Sequence, residues 1–321
     1  MNRLFAVLVL SYFSAQGQTI REKFGSGADA FFIDFVTIGN LGNEADSSGN
    51  PNPVGRVDYA YNLGMYEISR DQIHKANAAS GLGITLADIT AFGGNGLDRP
   101  ATGVSWNELA RFVNWLNTSR GHQAAYRMTA NGDIDTVNNQ WSVEDSAQGG
   151  LNRYRHKDAR FFIPTRDEWY KAAYGSPEGE WFSFATGSDT PPSPITSGTN
   201  PNSAVYGQDV YTGPADVQQA GGVSAWGTMG QNGNVWEWTE STAYSYSGGI
   251  VLPSGPQREL RGGAWFYDDS HLVSTYLVNN TPNWEGDSDG FRIAMVPEPS
   301  SLSLLLVGGA VLMAGRRRRL V

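Results

Sequence analysis

The chain has 321 residues, no cysteine and a formal charge of −9. That length holds two average domains or one large irregular one. The missing thiols exclude disulfides, so stability rests on packing, for which 10 Trp, 14 Tyr and 14 Phe supply the material.

In chain order, Met1 to Gly17 reads as a secretory signal: Arg3 gives the positive start, Leu4 to Phe13 is almost wholly apolar, and Ala15-Gln16-Gly17 offers small residues for cleavage. Ala30 to Ile38 and Tyr61 to Ser69 read as strands. Ser105-Trp106-Asn107-Glu108 has capping-box spacing, and Leu109, Phe112, Val113 and Leu116 then share a helical face. Thr129 to His156 is polar and reads as a surface excursion. Thr165-Arg166-Asp167-Glu168 repeats the capping grammar, with Trp169, Ala172 and Ala173 inward and Gly175 as the stop. Thr186 to Asn202 is a second polar loop, and Asn234 to Thr239 and Gly290 to Met295 read as strands. Interleaved helices and short strands amid many glycines make the class α+β.

At the far end, Ser300 to Gly315 is uncharged and precedes Arg316, Arg317, Arg318 and Arg319. A helix of that length spans about 24 Å against a hydrocarbon core of ~30 Å, a marginal single crossing whose arginines stay cytoplasmic. Just before it stands Pro297-Glu298-Pro299. The triplet, apolar stretch and arginine cluster together resemble the PEP-CTERM sorting signal, with residues 296–321 as the sorting segment. That resemblance implies an exosortase-type partner, transient membrane anchoring and delivery to the cell surface or matrix. Without residues 1–17 and 297–321, which carry five arginines and one glutamate, the body has 18 basic and 31 acidic residues, a charge near −13. Such a body is a poor partner for nucleic acid or anionic membranes and is compatible with cations or neutral glycans.

Six phrases occur in one order: Asn62-Leu63-Gly64-Met65-Tyr66-Glu67-Ile68-Ser69; Arg99-Pro100 through Val104-Ser105-Trp106; Phe162-Ile163-Pro164-Thr165-Arg166-Asp167-Glu168-Trp169; Gly233-Asn234-Val235-Trp236-Glu237-Trp238-Thr239; Leu260-Arg261-Gly262-Gly263-Ala264-Trp265; and Gly290-Phe291-Arg292. Together they resemble the formylglycine-generating enzyme, or sulfatase-modifying factor, domain. The resemblance implies one C-type-lectin-like α+β domain over residues 28–295.

Known members of that family include copper oxidases using two cysteine thiolates and iron-dependent sulfoxide synthases. Aligning Arg261-Gly262-Gly263-Ala264-Trp265 puts the two cysteines at Tyr267 and Leu272, which offer no soft sulfur, so copper is not expected. The resemblance also implies calcium, held by the carbonyls of Gly233 and Val235 and the carboxylate of Glu237, although Gly230 stands where the family has a carboxylate or amide. A second implied calcium site falls at Asn202 and Asp216. Asp287-Ser288-Asp289-Gly290 lacks the spaced acids of a calcium loop and reads as a turn.

Trp236, Trp238 and Trp265 read as core in preference to a sugar platform. His271, with Asp268 and Asp269 beside it, is the histidine placed for weak metal or acid–base chemistry, against the plainer reading of a solvated loop. Arg292 reads as a structural ion pair or backbone clamp. Gly-x-Ser-x-Gly and phosphate-loop motifs are absent. The expected function is a non-catalytic, exported protein binding a glycan, peptide or extracellular polymer. An enzyme of altered, non-copper-thiolate chemistry and a structural matrix module are the alternatives.

Overall fold

A computed structural model describes residues 19–134, 140–247 and 250–297. The signal segment and the sorting residues Glu298, Pro299 and Arg316 to Arg319 lie outside the described residues. Among those described, no helix is long and apolar enough to cross a membrane.

The chain opens with β1 (Ile20–Phe24), β2 (Phe31–Ile38) and β3 (Tyr61–Gly64), followed by helices α1 (Arg70–Ser80) and α2 (Trp106–Thr118). A small hairpin, β4 (Ser146–Ala147) and β5 (Asn152–His156), leads to β6 (Phe161–Phe162) and α3 (Arg166–Tyr174). Then come β7 (Ser193–Pro194), β8 (Ser203–Ala204), the long pair β9 (Trp236–Ser247) and β10 (Ile250–Arg261), β11 (Val278–Asn280), β12 (Asp289–Gly290) and β13 (Ala294–Met295).

Two sheets organise the domain. The first runs β1-β2-β3-β13-β6, and the second runs β11-β10-β9-β12. Pairings are antiparallel in the first; in the second only β12 lies parallel to β9.

Alternation along β2 shows how the layers form. Phe31, Ile33 and Phe35 face one way, into a core with Leu109, Phe112, Val113 and Leu116 of α2. The opposite face begins in solvent at Phe32, then buries Val36 and Ile38 in a cluster with Leu63, Phe162 and Ala172 of α3. One sheet is thus covered by α2 along one face and by α3 over part of the other.

All three helices begin with the same device. Ser105 Oγ accepts from the Glu108 amide at 3.3 Å while Glu108 Oε2 accepts from the Ser105 amide at 3.0 Å. Thr165 and Glu168 repeat this at 3.3 and 2.6 Å, and Ser69 and Gln72 do so at 3.4 and 2.8 Å.

The structure alters four sequence readings. The strand expected from Tyr61 to Ser69 stops at Gly64, because Ser69 caps α1. The strand expected over Gly290 to Met295 divides between the two sheets. Asn234 to Thr239 belongs to a hairpin of much greater length. The polar excursion ends in the interior, with Arg155 and His156 buried. Gly175 does end α3, but at φ −91°; the Lys171 carbonyl oxygen, 2.7 Å from where its Cβ would stand, and the Trp181 ring at 3.1 Å favour glycine there.

Candidate functional site

At the start of β9 the carboxylate of Glu237 is fully buried and held by three donors. Arg292 gives Nε to Oε2 and Nη2 to Oε1, both at 2.6 Å, and the Trp169 indole reaches Oε2 at 2.7 Å. Arg292 also donates to the carbonyls of Gly64 at 2.9 Å and Met229 at 2.7 Å, so it is ion pair and backbone clamp at once.

Near this pair lies a second buried acid, Glu67, whose Oε1 accepts from Asn234 Nδ2 at 2.9 Å. Among the described residues, none hydrogen-bonds Glu67 Oε2. Burial, followed by repulsion from Glu237, pushes the Glu67 carboxyl up to about 7. Gly230 lies against it: at φ +83°, a Cβ there would sit 2.5 Å from Glu67 Oε1. Where the resemblance calls for a polar side chain at position 230, the Glu67 carboxyl takes up the space.

Calcium requires several oxygens at ~2.4 Å. Glu237 instead faces a guanidinium, so Gly233, Val235 and Glu237 as folded do not fit a cation unless Arg292 moves. Of the second implied pair, Asp216 lines a cleft of about 610 Å³ together with Glu67 and Asp98. Asn202 is not among its walls; its amide oxygen accepts from Thr186 Oγ1 at 2.8 Å. Among the described residues, no three His, Asp or Glu side chains are grouped to hold a metal ion.

The segment after Gly263 is an aromatic cluster. Tyr267 packs on Phe266 at 4.4 Å, His271 at 4.6 Å and Trp236 at 5.5 Å between ring centres. Leu272 is buried in a cluster with Phe184, Ala204 and Tyr206, and its carbonyl accepts from the Tyr174 hydroxyl at 3.0 Å. His271 Nδ1 lies 2.8 Å from Asp268 Oδ1, and the Tyr276 ring packs at a tilt against the imidazole at 4.5 Å. The Asp268 carboxyl is held below its ordinary range by hydrogen bonds from Ser270 and His271. Trp236, Trp238 and Trp265 are buried in the core, so none offers an open platform.

The family model for the sulfatase-modifying factor enzyme 1-like domain matches residues 35–296. The chain belongs to that family. Among curated relatives, the formylglycine-generating enzyme of Thermomonospora curvata is 26% identical over 62% of this chain and 56% of its own length. The mouse inactive C-alpha-formylglycine-generating enzyme 2 is 28% identical over 41% of this chain and 42% of its own. The chain thus spans about half the length of the curated relatives it matches.

Solved structures agree on the fold. Treponema denticola variable protein 1 superposes with a TM-score of 0.58 at 20% identity, covering 87% of this chain and 99% of its own. PvdO from Pseudomonas aeruginosa gives 0.52 at 17% identity over 86% and 98%. The α+β, C-type-lectin-like architecture of sulfatase-modifying factor domains is therefore the fold of this chain.

Sequence spacing gave no sign of a second charged network in this sulfatase-modifying factor domain. Arg155 lies 3.3 Å from Glu168 and 3.6 Å from Glu240. The Tyr126 hydroxyl donates to Glu240 at 2.8 Å, and Asn152 donates to its other oxygen. Beside them the Arg258 guanidinium is sandwiched between the rings of Trp106 at 4.3 Å and Tyr154 at 4.4 Å. These residues come from α2, the loop after it, β5, α3, β9 and β10, so only the folded chain brings them together.

Proposed function

We propose that this sulfatase-modifying factor domain is a non-catalytic binding protein, exported and delivered to the cell surface or matrix. The observation that carries the reading is the pair Tyr267 and Leu272. The family's copper chemistry needs thiolates at those positions; here one holds a phenol among aromatic rings and the other an aliphatic side chain in the core. The mouse relative bearing "inactive" in its name accords with this. In the test, purified protein is incubated with copper(I), oxygen and a cysteine-bearing sulfatase peptide. No formylglycine is expected, and any copper-dependent turnover overturns the reading.

An enzyme of altered chemistry has one observation in its favour, the contact between His271 and Asp268 at 2.8 Å. Stoichiometric iron or copper in the native protein would favour it. The same preparation addresses calcium. With Arg292 seated on Glu237, chelation is expected to leave the melting temperature unchanged. A drop reversed by calcium alone would return Gly233, Val235 and Glu237 to the role of ligands.

For export, the reading rests on the signal-like start, the triplet Pro297-Glu298-Pro299 and the arginines 316–319. Replacing the triplet with alanines is expected to leave the protein in the inner membrane. Normal delivery of that variant would refute recognition by an exosortase-type partner.

A further inference from the structure

A cleft of about 520 Å³ opens above the Arg155–Glu240 network, between the N-terminus of α3, the middle of β9 and the β4–β5 hairpin. It shares no wall with the Tyr267–His271 cluster or with Glu237. We propose that this cleft binds a neutral oligosaccharide, with Tyr154 as the stacking platform and Asp167 as the principal acceptor of sugar hydroxyls. The proposal rests on the binding-protein reading above and gives it a place and a ligand class.

Three features carry it. First, Tyr154 is preorganised. Its ring lies over Arg258, whose other face is closed by Trp106, and its backbone amide donates to Asn152 Oδ1 at 3.2 Å. An aromatic wall already fixed in place loses little freedom when a sugar ring stacks on it. Tyr59 and Tyr244 also line the cleft. Tyr59 is anchored by donating to Glu168 at 2.6 Å and accepting from Gln148 at 2.7 Å.

Second, a carboxylate is left with capacity to accept. Asp167 Oδ1 takes the Gly55 amide at 2.7 Å, and among the described residues no group hydrogen-bonds Oδ2. The side-chain carbonyl oxygen of Gln148, which no described residue hydrogen-bonds, adds a second acceptor in the same walls for vicinal hydroxyls.

Third, the charge pattern disfavours anions. Of the lining residues, Arg56 and Arg166 face Asp58, Asp167 and Glu240. Arg56 lies 3.1 Å from Asp58, and Arg166 lies 2.6 Å from Glu259 while also donating to the Thr242 carbonyl. The walls thus set two cations against three carboxyl groups, so no excess of positive charge awaits a sulfate, phosphate or uronate.

A peptide is the poorer occupant. The edge of β9 that such a strand would extend is already engaged: the Glu240 amide donates to the Pro164 carbonyl at 2.8 Å, and the Thr242 carbonyl accepts from Arg166.

The test is calorimetric titration of the purified chain with neutral gluco-, manno-, galacto- and xylo-oligosaccharides, beside uronate and sulfated oligomers. Saturable binding of at least one neutral series is expected, with the anionic oligomers weaker. Tyr154→Ala and Asp167→Ala should each weaken binding about tenfold, the scale of one lost stacking or hydrogen-bonding group. Leu151→Ala, at a rim side chain 88% exposed, leaves the fold intact and should weaken binding several-fold. Failure of the whole neutral panel, preference for anionic sugars, equal binding by all three variants, or binding of peptides in place of sugars would each overturn the proposal. None of these outcomes bears on the absence of oxidase chemistry, which the copper assay decides separately.

Discussion

Arg292→Met is expected to destabilise the protein by about 3–5 kcal/mol, the cost of leaving a buried carboxylate without its cation. Glu237 would keep only the Trp169 indole, and the carbonyls of Gly64 and Met229 would each lose a donor. For a domain of this size the melting temperature should fall by roughly 10 °C. Arg292→Lys should recover little, because an ammonium cannot give two parallel bonds to Glu237 while also reaching two carbonyls. The double variant Arg292→Met, Glu237→Met should be more stable than the single one, since no charge is then stranded. Thermal and denaturant unfolding check all three. An Arg292→Met protein that melts like the parent would show that the pair is not the clamp its geometry describes.

Stability is also expected to decline as pH rises from 5 to 8, and Glu67 is the main cause. Its carboxyl titrates at about 7 in the fold because it is buried and lies near Glu237, whereas in the unfolded chain it titrates near ~4.3. Between those values the folded protein retains a proton that the unfolded chain has released, so each rise in pH favours unfolding. Below the window both states are protonated and the penalty vanishes; above it both are ionised and the penalty is complete. Its full size is on the order of 3 kcal/mol. Asp289, raised to about 6 chiefly by burial, acts in the same direction. Glu67→Gln should flatten most of the slope and Asp289→Asn part of the remainder. A parent protein whose melting temperature is level from pH 5 to 8 would contradict this account.

The parts of the fold legible in the sequence were those with local causes. The Ser105–Glu108 and Thr165–Glu168 boxes announced α2 and α3 because capping is decided within four residues. Ser69-Arg70-Asp71-Gln72 carries the same signature for α1, but the apolar run before it reads as an unbroken strand. In β10, Pro253, Gly255 and Pro256 hide a twelve-residue strand behind turn residues. They fall where the pairing with β9 shifts register, which is where a ladder tolerates such residues.

At the candidate site, the loss of thiolates at Tyr267 and Leu272 could be read directly from the sequence. The commitment of Glu237 to Arg292 could not, since 55 residues separate them and only the crossing from the second sheet to the first makes them neighbours. The cleft beside Tyr154 was hidden for the same reason. Its walls come from four distant stretches, and the stretch that supplies Tyr154 and Arg155 has the composition of a surface loop.

The position of β13 governs when the fold can exist at all. These two residues, at the very end of the domain, lie inside the first sheet between β3 and the edge strand β6, and the three residues before them arrive directly from the second sheet. A growing chain can therefore complete neither its sheet nor its Arg292 clamp until residue 295 is free to dock. Such late, long-range closure makes for slow folding. It also means that a chain ending before residue 294 lacks the piece that joins its two halves, so acquisition of the native state doubles as a check that the domain was made to its end.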